Sequence, residues 1–164
     1  MTKKNYILTT LICALLVISL GGWLLHMRIH PIDKNPAYFI PFLSGLASVL
    51  VVPLLFSFRK TIHAGYVLNG MLVILGTITM AHLSLEDIPY PLTISALLFK
   101  TTLPDIIILL SKFLLGKAIF DLVIFGFDAS VHHTGIWWRY PNIGWWWVHF
   151  VLISFVYTLG HLLW

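Results

Sequence analysis

Tyr6-Ile-Leu-Thr-Thr-Leu-Ile-Cys-Ala-Leu-Leu-Val-Ile-Ser-Leu-Gly-Gly-Trp-Leu-Leu25 contains no charged residue. A helix rises 1.5 Å per residue, so about 20 apolar residues cross the hydrocarbon core of a bilayer. Four further runs are apolar and long enough to cross as well: 39–58, 65–85, 103–125 and 145–164. Together the five take up most of the 164 residues. Lipid offers the backbone no hydrogen-bond partner, so each run must satisfy its own peptide groups, and helices do this within one segment. Period-2 alternation is missing from all five, which argues against a transmembrane barrel. The expectation is an all-α fold: a polytopic membrane helix bundle of about five transmembrane helices with short loops, forming one domain over 1–164.

Composition agrees. Hydrophobic residues make up 59% of the chain, charged ones 10%, and mean hydropathy is +0.94. A soluble domain is about 25% charged, because its exterior must bind water. The formal charge of +4 does not point to nucleic acid, because the basic residues sit mainly at span ends, where they meet lipid headgroups. Cys13 is the single cysteine, so no intrachain disulfide, zinc motif or covalent haem attachment can form. The N-terminal run exceeds the usual 7–15 apolar residues of a cleaved signal. It is read as a retained signal anchor.

Loop charge sets orientation. A cytoplasmic N-terminus puts Lys3, Lys4, Arg59, Lys60 and Arg139 inside and Arg28, Lys34 and Lys100 outside, with the C-terminus opposite the N-terminus. The expected location is the plasma or inner membrane. Pro31 and Pro36 should end the first helix and shape a short turn. Pro53 should kink the second helix by withdrawing a donor. The stretch 88–99 is apolar but too short to span, so it is expected at the interface or as a re-entrant segment. A crossing helix at 92–110 would be the alternative register. Ser44, Ser48, Gly65, Asn69 and Gly76 offer small faces for close helix contact.

Ionisable groups inside a membrane are costly and mark functional positions. The fourth run carries Asp105, Lys112, Lys117 and Asp121. Asp105 and Lys112 lie nearly on one face, while Lys117 and Asp121 are spaced for a pair within the helix. They point to a proton or ion relay, or to a polar site facing a water-filled cavity. The plainer roles are helix capping for Asp105, a neighbouring-helix partner for Lys112 and snorkelling for the other two. With odd-numbered helices running outward, His26, His82 and His161 share one depth, with His30 one turn beyond His26, and His149 lies at the opposite end. Such layers suit a transition metal held by His26, His30, His82 and His161, or a haem b ligated by pairs drawn from His26, His82, His161 and His149. Histidine also serves as a C-terminal cap or dipole partner at helix ends.

The loop after the fourth run carries Asp128, His132, His133 and Trp137-Trp138-Arg139-Tyr140-Pro141-Asn142, followed by Trp145–Trp147. These indoles suit the aromatic belt of a membrane interface. Trp137, Trp138 and Arg139 could also form a platform for a flat or polyprenyl-like ligand. The tryptophan-rich loop resembles haem-handling proteins of cytochrome c maturation, but the acidic end of their WWD motif is missing. The Asp128…Gly135-Ile-Trp run resembles membrane carotenoid cyclases, but their paired glutamates are absent. Neither likeness assigns a family.

Three functions remain, with an enzyme the less favoured class. The first is a membrane subunit of a larger assembly, holding haem or metal through histidines for electron or proton transport. The second is an enzyme on a lipid or isoprenoid substrate, using Asp105, Asp121 or Asp128 as acid. The third is a small oligomeric transporter or channel built around the fourth helix. Expected partners are membrane lipids and either further copies of the chain or other membrane subunits.

Overall fold

The structure, a computed structural model, describes residues 2–86, 93–96, 103–126 and 136–163. Among these residues it is helical throughout, without a strand. The five long helices are α1 (Lys3–Ile29), α2 (Phe39–Ser57), α3 (Ile62–Glu86), α4 (Leu103–Ile124) and α5 (Ile143–Leu163). The alternative crossing helix at 92–110 falls in part on residues outside those described. A single turn at Ile94–Ala96 lies in the segment expected at the interface, most of which falls outside the described residues.

Boundaries follow side-chain chemistry. Thr2 caps α1, its Oγ1 accepting from the Asn5 N–H at 3.2 Å, a cap on otherwise orphaned donors. The helix then runs beyond Leu25, where the apolar run ends, to Ile29, and the N–H of its C-cap His30 donates to the His26 carbonyl at 2.8 Å before Pro31. Asn35 caps the turn Pro36–Tyr38 through the Ala37 N–H at 2.9 Å. α2 continues through Pro53 to Ser57. Between α2 and α3, Thr61 Oγ1 donates to the Leu55 carbonyl at 2.7 Å and closes the short connection.

Among the described residues, four segments are long and apolar enough to cross a membrane: Lys3–Ile29, Pro36–Ser57, Arg59–Leu83 and Ile143–Leu163. α4 is comparable in length at 22 residues. Its charge separates it from the others, since Asp105, Lys112, Lys117 and Asp121 all lie on it.

The chain divides into two compact units, Met1–Phe127 and Asp128–Trp164. In the first, α1 packs on α2, α2 on α3, α3 on α4, and α4 returns to α1. The ring alternates in direction. His30 meets Tyr38 and Trp23 meets Phe42 between α1 and α2. Along α3 and α4, Tyr66 stacks on Phe120 with centroids 4.4 Å apart, and Asn69 reaches Lys112. Numbers fall on one partner as they rise on the other, as in an up-down-up-down bundle.

Close approach depends on absent side chains. A Cβ at Gly45 would lie 2.5 Å from the Trp23 ring, and one at Gly116 would collide with the Asn69 amide. Lipid gives apolar faces no reason to leave it, so such small-residue contacts supply the packing. One half of the bundle is solidly filled: Leu15, Val52, Phe56, Tyr66, Ile119 and Phe120 are all 1% exposed or less. The outer surface is apolar, with Val17, Leu50 and Leu54 more than half exposed. Ser19, Ser48, Asn69 and Lys112 are instead buried. This inside-out distribution suits a lipid solvent and would be a liability in water.

In the second unit, α5 presents Val151, Phe155, Val156 and Leu162 outward. The turn before it is built on backbone bonds from Arg139 N–H to Ile136 O and from Asn142 N–H to Arg139 O, each 2.9 Å. The Trp137 ring covers Gly144, where a Cβ would collide with it.

Gly116→Ala is expected to destabilise the bundle by about 1–3 kcal/mol through overpacking. Gly21, whose Cβ position is open, should tolerate alanine or gain up to about 1 kcal/mol of helix propensity. Thermal melting in detergent, followed by circular dichroism, separates the two variants.

Candidate functional site

The half of the ring opposite the packed plug holds a cavity of about 70 Å³. That exceeds several-fold the roughly 10–15 Å³ needed by one water. Each helix gives it one stripe. α1 contributes Ser19, Gly22, Trp23 and His26; α2 contributes Pro41, Ser44 and Gly45. α3 contributes Leu72, Gly76 and Met80; α4 contributes Asp105, Ile108, Leu109 and Lys112. Spacings of three and four residues place each set on a single helix face. Because directions alternate, His26, Pro41, Met80 and Asp105 form the outer layer and Ser19, Leu72 and Lys112 the floor. Two helical turns separate Asp105 from Lys112, a depth of about 11 Å.

Lys112 is only 6% exposed. Its Nζ donates to Ser48 Oγ at 2.8 Å, and Ser48 Oγ donates onward to the Ser44 carbonyl at 2.9 Å. The backbone of the same residue is held from the other side, since Asn69 Nδ2 donates to the Lys112 carbonyl at 3.0 Å. α2 therefore grips the side chain and α3 the main chain. Among the described residues, the ion pair on α4 joins Lys117 and Asp121. Asp105 and Lys112 line the cavity without a salt-bridge partner among those residues.

The α1 stripe is polar and unengaged. Ser19 Oγ and Trp23 Nε1 are buried without a hydrogen-bond partner. Neither ring nitrogen of His26 makes a hydrogen bond of good geometry, although the Tyr38 backbone lies within interaction range. A buried donor or acceptor left unpaired costs about 1–3 kcal/mol. Three such residues among those lining one cavity are therefore a feature that packing alone does not explain.

The other expected site residues fall elsewhere. His26 and His30 meet ring to ring with centroids 5.4 Å apart, and His30 in turn contacts Tyr38. His82 is half-buried on α3 and does not line the cavity. In the second unit, His149 Nδ1 lies 2.8 Å from the Trp145 carbonyl and its ring stacks on Trp145 at 3.7 Å. His161 sits in the last turn of α5, where a basic residue complements the helix dipole. Among the described residues, no three His, Cys, Asp or Glu side chains come together to hold a metal ion. The metal and haem expectations thus draw no support from those residues.

Trp137, Trp138 and Arg139 are exposed on the turn before α5. Tyr140 packs edge-on to Trp145, and burial pushes its phenol up. Asp128, His132 and His133 lie outside the described residues. Sequence reasoning singled out Asp105, Lys112 and His26 in the cavity but missed Ser19 and Trp23 as members. The available signal was the run Ser19, Trp23, His26, spaced i, i+4, i+7 on one otherwise apolar helix.

Compared with known proteins, the chain matches no protein family, no curated protein and no solved structure.

Ser48→Ala should destabilise the bundle by about 1–3 kcal/mol, because it strands a buried ammonium. Adding Lys112→Met should recover most of that loss, since apolar replacement of a buried charge is often neutral or favourable. A double-mutant cycle of denaturation in detergent reads the coupling; simple additivity would mean that the 2.8 Å contact carries no energy.

Proposed function

We propose that the chain is a small integral membrane transporter that binds a small polar solute in the α1–α4 cavity. It works as an oligomer or as the membrane subunit of a larger assembly. One observation carries the reading: a buried lysine forms the floor of a cavity with largely apolar walls, beyond which tightly packed apolar side chains fill the bundle. A site open toward one membrane face and sealed at mid-depth is one half of an alternating-access cycle, with its binding group near the midplane. Intramembrane ionisable residues that face a cavity mark such pathways. Lys112 is the anchoring group, and Asp105 and His26 guard the mouth.

Orientation follows from loop charge. The mouth lies at the end of the bundle that carries Arg28 and Lys34, so an inward N-terminus turns it away from the cytoplasm. The membrane is then the plasma or inner membrane. Lipid contacts the apolar exterior, and further copies or partner subunits complete the route across.

The functions expected from the histidine layers and from the aspartates as lipid-directed acids have less behind them. Asp121 is already paired with Lys117. A cavity of about 70 Å³ holds only a few heavy atoms, far fewer than a prenyl chain.

Two measurements test the proposal. Proteoliposomes should take up at least one of labelled acetate, glycine or glycerol faster than empty liposomes, and Lys112→Ala should abolish the difference. Uptake equal to empty liposomes for all three, or unchanged in Lys112→Ala, removes the transport reading. Separately, reporter fusions should place the N-terminus in the cytoplasm and the C-terminus outside; the reverse pattern would turn the mouth of the cavity inward.

A further inference from the structure

We infer that the cavity is a binding site for a small monocarboxylate, a ligand class that rests on the solute-binding reading above and narrows it. The floor is dominated by donors. Lys112 Nζ has three N–H groups, of which Ser48 takes one. Trp23 Nε1–H can only donate, and it is buried without a partner. Ser19 Oγ is likewise buried and unengaged, on a residue 2% exposed. An ammonium with N–H groups to spare and two unpartnered donors, on residues that line one cavity, call for a ligand rich in acceptors. A carboxylate supplies two oxygens with about four lone-pair sites and the negative charge that the buried ammonium lacks.

Two further observations narrow the class. Asp105 lines the same cavity two turns above Lys112, so a dianion would set its second charge against a carboxyl group. A single charge matches the single ammonium. The walls between the two are apolar, formed by Leu72, Ile108 and Leu109. They suit a short alkyl tail better than a bare inorganic ion. The volume fits a ligand of about five heavy atoms, taking each at near the roughly 10–15 Å³ of one water.

The experiment uses the full chain in phosphatidylcholine nanodiscs, with ¹³C-labelled acetate as probe. Ligand line broadening is recorded against increasing protein. Wild type should broaden acetate saturably, and unlabelled acetate should compete. Neutral acetamide, which has the same shape but no charge, should not. Trp23→Phe keeps an aromatic ring and removes the indole N–H, and should weaken binding by about ten- to hundredfold, the effect of one lost hydrogen bond to a charged group. Lys112→Met should abolish broadening, and Lys112→Arg should retain part of it. Circular dichroism confirms that each variant is folded; Trp23→Phe decides the matter should the lysine variants melt early.

Phosphatidylglycerol nanodiscs identify the natural source of the charge. Unchanged acetate binding there supports a free carboxylate, whereas suppression would assign the site to lipid phosphate and overturn the carboxylate. Equal competition by acetamide, or broadening unaffected by both Trp23→Phe and Lys112→Met, also overturns the inference. Saturable binding without liposome uptake keeps this site and removes transport. Uptake of glycine or glycerol without acetate binding does the reverse.

Discussion

Lys112 is held by two helices at once, and the arrangement of the first unit turns on that grip. A charged group in a hydrocarbon solvent cannot face outward, so α4 must present its lysine to the interior. Once inside, the ammonium needs an acceptor, and Ser48 of α2 supplies it at 2.8 Å. The amide of Asn69 on α3 bonds the carbonyl of the same residue, and glycine at 116, one turn on, leaves room for that amide. The rotation of α4 about its axis is thereby set, and with it the direction in which Asp105, Ile108 and Leu109 point. A helix with an apolar surface all round has no amphipathic stripe to orient it. Polar bonds do that work here.

Much of this was readable from the residues. The five helices lie close to where uninterrupted apolar runs placed them, because length and hydrophobicity are what the bilayer constrains most strictly. Errors at the ends have one cause. Hydropathy stops at the last oily residue, whereas hydrogen bonding carries α1 from a Thr2 cap to Pro31, through charged and polar interface residues. Lys112 and Asp105 stood out as intramembrane charges, and their shared face was set by spacing alone. Ser19 and Trp23 did not stand out, since serine and tryptophan are ordinary in such helices. Only the ring closure between α1 and α4 reveals that they face the lysine. The histidine layers assumed that equal depth implies proximity, and depth says nothing about which face of a helix a ring occupies.

The bundle is asymmetric along its length. At one end, stacked aromatics and branched aliphatics fill the interior to near-zero exposure. At the other, polar groups line open volume. The packed half resists compression, as close-packed interiors do.

The unengaged stripe on α1 has a mechanical corollary. Three of the four rods are riveted through Lys112, whereas the side chains of Ser19 and Trp23 form no hydrogen bond to a neighbour. Along this stretch α1 meets its neighbours by shape, with the Trp23 indole seated over Gly45 and Ile108 over Gly22. Shifting any of the other three rods breaks a hydrogen bond at Lys112. The knot at Lys112 therefore binds the second, third and fourth helices to one another and leaves the first outside it.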